Sequence, residues 1–407
     1  MYLTLAWRNI WRNKRRSVIT ILSITFAVLL ACIMRSMQLG SYERMISNAA
    51  QFYTGYVQIH KNGYWDDKML DNSFEYAEEL MFAVENTEGV EVAVPRLESF
   101  ALASYGTKTK GAMVMGIVPE KENQLTKVND KLIDGENLDV DDKAVLIGQG
   151  LSKYLNLVVG DSLVLIGQGY HGANAAGIYP IKGILKFPVP AQNNQTVYMP
   201  IKEAQWFYAA ENLLTSIAIV VDKAKNVDPV LINISSRVDT EALEVMGWED
   251  MMPDLVQAIE VDNISGKVMI WILYIVIGFG MLGTFLMMTV ERLYEFGVMI
   301  SVGMTRLRMQ SVILLEMMLM AGIGVLVGVG ISMPIIIYYY NNPVFMTGEA
   351  AEAMGEQFGV EVAYFFSMEP SLFYNQAWVI FFMAIILGLY PLIYIQRLKP
   401  VDSMRTI

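Results

Sequence analysis

Four stretches of the chain carry almost no polar side chains, and they set its plan. One covers residues 268–290 (VMIWILYIVIGFGMLGTFLMMTV), 23 positions without a charge. About 20 apolar residues let a helix cross a hydrocarbon core, and a helix satisfies its own backbone groups there, so this run predicts a membrane span. Ser17 to Met34 predicts a first span within residues 17–39, and 317–340 and 377–395 predict two more. Residues 1–16 hold Arg8, Arg12, Lys14, Arg15 and Arg16, with Trp7 and Trp11 four apart, the pattern of an amphipathic helix on a membrane surface. A secretory signal would also begin basic, but the apolar run is long and no small-residue cleavage site follows, so it reads as an uncleaved span. Arg35, just past it, can snorkel to the far interface.

The polar positions at the ends of these runs are the first candidates for function. Directly after the second run comes Glu291-Arg292-Leu293-Tyr294-Glu295-Phe296-Gly297-Val298-Met299, leading to Gly303. Over residues 291–306 this reads as an amphipathic helix at the membrane surface with Glu291, Arg292 and Glu295 as its polar face; a solvated loop is the alternative. Glu316 lies about one turn into the third span, where a lone carboxylate is costly. It therefore needs a partner such as Arg292, Arg306 or a backbone amide, and pairing is favoured over proton transport because no second acid lies deeper. Gly324 and Gly328, flanked by Gly322 and Gly330, have the spacing that lets two membrane helices pack closely. Phe26, Met34, Phe279 and Met281 on the first two spans are candidate substrate-facing residues.

Between residues 40 and 266 the pattern changes to that of an α+β domain. Residues 73–86 predict a helix capped by Ser73, and VEVAVP, FALASYG and GAMVMGIV predict two or three short strands. A β-rich piece begins near Ala144, with Gly160-Asp161 as a turn signal and IYPIKGIL and TVYMPI as further strands. KEAQWFYAAENL then predicts a helix, SIAIVV a strand, residues 229–238 a helix and residues 243–248 a strand. This order suggests a first domain interrupted by a second.

Composition sharpens this picture. Of 407 residues, 54% are hydrophobic and 17% charged, more apolar matter than a soluble domain needs. Residues 40–266 hold 32 acidic and 17 basic side chains, a balance of −15 within a total of −11, so the rest is mildly basic and nucleic acid is not an expected partner. The loop at 341–376 contains Glu349, Glu352, Glu356, Glu361 and Glu369 with no Lys or Arg, whereas the N-terminal segment, the 291–308 segment and the tail (Arg397, Lys399, Arg405) are basic. The positive-inside rule then places both termini in the cytoplasm and residues 40–266 outside. Cys32 is the single cysteine, and His60 and His171 are the two histidines, so no metal site is expected. No phosphate-binding loop occurs. Gly148-Gln149-Gly150 and Gly167-Gln168-Gly169 read as turns or bulges rather than dinucleotide loops, so no catalytic residues and no bound cofactor are expected.

One span, a large external domain and three further spans, together with E-R-x-x-E-F-G-V-M-x-x-x-G from Glu291 to Gly303, resemble the FtsX-like permease family of ABC transporters, which includes MacB-type and LolC/LolE-type proteins. Leu5-Ala6-Trp7-Arg8-Asn9, Gly148-x-x-Leu151 with Gly160-Asp161, Tyr198-Met199-Pro200 with Ala204-Gln205, Glu316 followed by spaced glycines, and Lys399-Pro400-Val401 extend the likeness over the whole chain. The resemblance implies a membrane α-helical fold of four transmembrane helices, with a porter-like extracytoplasmic α+β unit carrying a β-rich insertion. It implies a dimeric permease, with a second copy or a paralogue, in a bacterial inner membrane. A separate cytoplasmic ABC ATPase would bind ATP and Mg. Glu291, Arg292, Glu295, Phe296, Gly297, Met299 and Gly303 would form the helix that couples to that ATPase. The lack of a fused ATPase and Trp248 before the second span look more like the LolC/LolE lipoprotein-releasing type, which implies a lipoprotein substrate and a periplasmic carrier or adaptor. MacB-like efflux of peptides or drugs, and FtsX-like activation of a periplasmic partner, are the alternatives. The 341–376 loop is longer than the family's usual turn, and Phe187-Pro188-Val189-Pro190 with Gln192-Asn193-Asn194 matches none of its hairpins, so a hook for a carrier stays open.

Overall fold

The structure, a computed structural model, describes residues 2–221, 226–345 and 363–396. Glu349, Glu352, Glu356 and Glu361 of the expected acidic loop, and Arg397, Lys399 and Arg405 of the tail, lie outside these residues. The chain divides into two compact units, one drawn from Met1–Tyr42, Ala258–Val344 and Ala363–Ile407, the other from Glu43–Gln257 and Phe345–Val362. Each is described separately.

In the first unit, helix α1 (Tyr2–Arg12) breaks at Asn13 and continues as α2 (Lys14–Ala49). The helix runs well past the apolar stretch at 17–34 and straight through Gly40, because no proline follows that would stop it.

The second unit is built on a ten-stranded sheet. Its elements in order are β1 (Val57–Lys61), α3 (Tyr64–Asp67), β2 (Phe74–Glu75), α4 (Glu78–Glu85), β3 (Val90–Tyr105), β4 (Lys108–Ile117), α5 (Pro119–Thr126), α6 (Val128–Lys131) and β5 (Leu132–Gly135). There follow β6 (Val145–Gly148), α7 (Gln149–Leu155), β7 (Ser162–Gln168), β8 (Asn174–Leu185), α8 (Pro190–Gln195), β9 (Thr196–Pro200) and α9 (Ile201–Phe207). The last are β10 (Leu213–Leu214), β11 (Ser216–Val221), α10 (Val227–Ser235), β12 (Leu243–Gly247) and α11 (Trp248–Met251).

Strand β3 organises this unit. Its first half, to Arg96, pairs with β11 in the open run β12-β1-β11-β3. Its second half pairs with β4 on one side and β7 on the other. From there the path β4-β9-β6-β8-β7 returns to β3, closing a six-stranded circuit. Leu97, Val114, Ile147, Leu163, Leu165 and Val197 fill the core of this circuit, and α4 and α10 bury Met81, Val84, Val230 and Ile234 with Ile59 and Ile219 of the open sheet. The two cores are the porter-like part and its β-rich insertion, sharing one strand.

Several expectations are corrected here. VEVAVP and FALASYG form one 16-residue strand; Arg96 and Glu98, which interrupt the apolar pattern, are buried rather than turned out. Arg96 sends Nε and Nη2 to the Glu122 carboxylate of α5, at 2.8 and 2.6 Å. Burial alone would lower the affinity of that guanidinium for its proton, but the Glu122 and Glu98 charges outweigh it and hold Arg96 above its ordinary value. Residues 73–86 are not one helix capped by Ser73. Phe74 and Glu75 pair with Leu213 and Leu214, and α4 starts after Ala77 with no side-chain cap, because that short strand offers a ladder the helix would forgo. Gly148 and Gly150 do not form a turn; they enter α7 where a Cβ on Gly148 would meet Asn193 O at 2.3 Å. The 187–194 segment folds into α8 against that junction and forms no hairpin.

The first unit resumes in α12 (Pro253–Glu291), α13 (Leu293–Ser301), α14 (Arg306–Asn341) and α15 (Pro370–Gln396). Together with α2, three of these helices give four that are long and apolar enough to cross a membrane. The fourth begins at Pro370, seven residues before the expected 377, with proline at a position where a missing N–H costs nothing.

Candidate coupling site after the second span

Helix α12 ends at Glu291, and Arg292 leaves the helical region at φ −101°, ψ 10°. The nine-residue α13 follows, closed by Gly303 at φ +104° with Gly303 N–H donating to Ile300 O and Met304 N–H to Met299 O, each at 3.0 Å. A left-handed residue there favours glycine and ends the helix, so the chain can turn directly into α14.

Arg292 is not on an exposed polar face. Its side chain is 6% exposed and that of Glu316 on α14 is 3%. Arg292 Nη1 donates to both carboxylate oxygens of Glu316, at 2.7 and 2.8 Å, while its Nε reaches Glu295 at 3.4 Å. The guanidinium carbon lies 5.5 Å from the Phe296 ring centre, a cation–π distance. Phe296 and Gly297 are buried. Around this centre Glu295 pairs with Arg12 of α1, and Glu291 with Arg16 of α2. Thus α13 is tied by ion pairs to α1, to α14 and, through the adjoining Glu291, to α2. A cavity of about 410 Å³ between α1, α13 and α14 is lined by Leu5, Arg12, Met299, Met304 and Ile313 among others.

The outward face of α13 is different. Tyr294, Val298 and Val302, four apart, are 52%, 38% and 83% exposed, and Leu307 is 74% exposed. The charged positions alone do not reveal this apolar stripe, which lies outside beside Glu291 and the 42%-exposed Glu295.

The remaining candidates separate. A Cβ on Gly324 would meet Ile24 at 2.8 Å, one on Gly328 would meet Val28 at 2.7 Å, and Thr25 Oγ1 donates to Gly324 O at 3.1 Å. These two glycines let α2 lie against α14. Phe26 and Phe279 are exposed and Met34 is half-buried, whereas Met281 is fully buried with Phe285 and Met320. Arg35 does not reach away from its neighbours: its Nη1 donates to Gln38 at 2.7 Å and to Asn263 of α12 at 2.9 Å.

Four helices long and apolar enough to cross a membrane, a short helix joining the second to the third and a large α/β unit are the architecture of a multi-pass membrane permease. Residues 17–237 match the MacB-like periplasmic core domain and residues 267–400 the FtsX-like permease C-terminal region. The first match alone covers more than half of the sequence, and the chain belongs to the MacB/FtsX-type family of ABC transporter permeases. Among known proteins it is similar to the lipoprotein-releasing system transmembrane protein LolC of Neisseria meningitidis serogroup B, 19% identical over 333 residues, 78% of this chain and 77% of that one. Solved structures that match include the periplasmic region of MacB from Actinobacillus actinomycetemcomitans, at 14% identity and a TM-score of 0.37, covering 52% of this chain and 96% of that one. The extracellular domain of the noncanonic ABC-type transporter YknZ from Gram-positive bacteria matches at 14% identity and a TM-score of 0.34, covering 47% of this chain and 99% of that one.

Proposed function

We propose that this chain is the permease of a mechanotransmitting ABC transporter that releases lipoproteins from a bacterial inner membrane toward the outer membrane. Both termini face the cytoplasm, the 43–257 unit is periplasmic, and the permease works as a dimer with a second copy or a paralogue. A cytoplasmic ATPase, which carries the ATP and Mg, docks on the Tyr294, Val298, Val302 and Leu307 stripe. The observation that carries this reading is the buried Arg292–Glu316 pair. A short helix held to the next span by a desolvated contact, one Arg292 nitrogen donating to both Glu316 oxygens, moves with that span, so a push on α13 becomes a tilt of α14 and, through Gly324 and Gly328, of α2. The chain itself performs no covalent chemistry.

The test is depletion of the chain followed by fractionation of the two membranes, together with mass spectrometry of what purifies with it in mild detergent. Lipoproteins stranded in the inner membrane and an ATPase in the preparation are expected. Normal lipoprotein release on depletion would defeat the releasing reading. A drug or peptide substrate would move it to efflux, and a cell-wall hydrolase or adaptor with no lipoprotein would move it to activation of a periplasmic partner.

A further inference from the structure

We propose that the cleft between the α1–α2 junction and the end of α12 is a binding site for the headgroup of an anionic phospholipid. The cleft has a volume of about 830 Å³. Its rim carries Arg12, Lys14, Arg15 and Arg16, and its opposite wall carries Thr284, Met287 and Glu291. Glu295 and Glu291 neutralise Arg12 and Arg16, while Lys14 and Arg15, both exposed, pair with no carboxylate among the described residues. Arg292, also on the wall, is committed to Glu316. Two cations therefore remain uncompensated at the mouth.

The position selects the ligand. Lys14 and Arg15 open α2, and one to two turns further on Val18, Ile19 and Leu22 are 46%, 47% and 57% exposed, with Met287 of α12 60% exposed. The mouth is cationic, the inner lining sets Ile19, Met287 and Met288 beside Thr20 and Thr284, and Val18 and Leu22 continue the exposed apolar surface along α2, an arrangement that suits a phosphate with its acyl chains lying along the helices. Basic pockets between membrane helices recognise anionic headgroups in this way, each cation contributing mostly by proximity to the charged surface. A soluble acidic partner would satisfy the charges but make no use of Ile19 and Met287, which line the cleft. The inference rests on the membrane reading of α2 and α12, and it is independent of which substrate the permease handles.

The experiment is native mass spectrometry of the full chain, purified in mild detergent and incubated with an equal mixture of phosphatidylglycerol and phosphatidylethanolamine. Wild type is expected to retain phosphatidylglycerol preferentially. Lys14→Gln with Arg15→Gln is expected to lower that retention roughly tenfold or more, whereas Lys14→Arg with Arg15→Lys preserves it, as does Arg8→Gln outside the cleft. Both altered side chains are exposed, and an unchanged melting profile checks the fold of each variant. Equal retention of the two lipids by wild type would overturn the proposal, as would full retention of phosphatidylglycerol by the doubly neutralised variant. Displacement by millimolar inorganic phosphate would mark a soluble-anion site and overturn it too. Loss of a copurifying ATPase with lipid retention unchanged would identify the cleft as a protein contact instead.

Discussion

Removing Arg292 should be far more damaging than removing its partner, and the geometry says by how much. Arg292→Ala leaves the Glu316 carboxylate 3% exposed with both oxygens stripped of their donor. Breaking a buried pair from one side costs about 3–5 kcal/mol, because the charge left behind is desolvated and uncompensated. Glu316→Ala also leaves a buried charge, but Arg292 keeps Glu295 at 3.4 Å, on a side chain 42% exposed, so its cost should fall below that range. Glu316→Gln keeps an acceptor for one of the two hydrogen bonds and should cost less still. The double change Arg292→Met with Glu316→Met removes both charges and should regain most of the lost stability, since apolar replacements of buried pairs are often neutral. It should not regain coupling, because a flexible apolar contact fixes no direction between α13 and α14. The assay pairs melting of the four variants in detergent, followed by loss of the monodisperse peak, with stimulation of the partner ATPase by each. If Arg292→Ala melted within a degree of wild type, the pair would not be desolvated as the structure places it. If the double methionine variant coupled normally, the pair would not transmit force.

Further outcomes follow from other contacts. Gly324→Val and Gly328→Val each drive a side chain into Ile24 or Val28 and the carbonyls of Ile21 or Thr25; each should cost about 1–3 kcal/mol, read as lowered melting with the soluble unit's spectrum unchanged. Val302→Glu, on a residue 83% exposed, should leave melting unchanged and weaken ATPase association, and undiminished association would remove the stripe from the docking face. Burial pushes His60 below its ordinary value, against an opposing pull from Glu244, whose carboxylate lies 2.8 Å away. Lys68 adds to the lowering, and the ring stacks on Trp65. The unfolded chain therefore takes up this proton first, and stability should fall as pH drops from about 6.5 toward the lower folded value. Full-chain melts between pH 7.5 and 5.5 should show this slope in wild type and lose it in His60→Leu; a slope of opposite sign would mean that Glu244 wins.

What the sequence determined by itself is the part governed by local periodicity. Runs such as 268–290 can only be helices in a membrane, and Glu316, alone among apolar neighbours, had to find a cation within reach. The α+β character of residues 40–266 was likewise written in alternating strands. Tertiary structure decided everything that depends on which neighbour arrives from far along the chain. Arg96 and Glu98 read as a break between strands because their partners, Glu122 and Ser216, lie distant in sequence; once paired, a charged position can sit inside a strand. Phe74 joined a ladder rather than a helix because Leu214 was available. Around α13 the same logic moved one member of the expected polar face: Arg292 turned inward to meet Glu316, while Glu295 stayed 42% exposed and Tyr294, Val298 and Val302 lie outside. Periodicity marks two faces of a helix, but only the packing partner determines which one is buried.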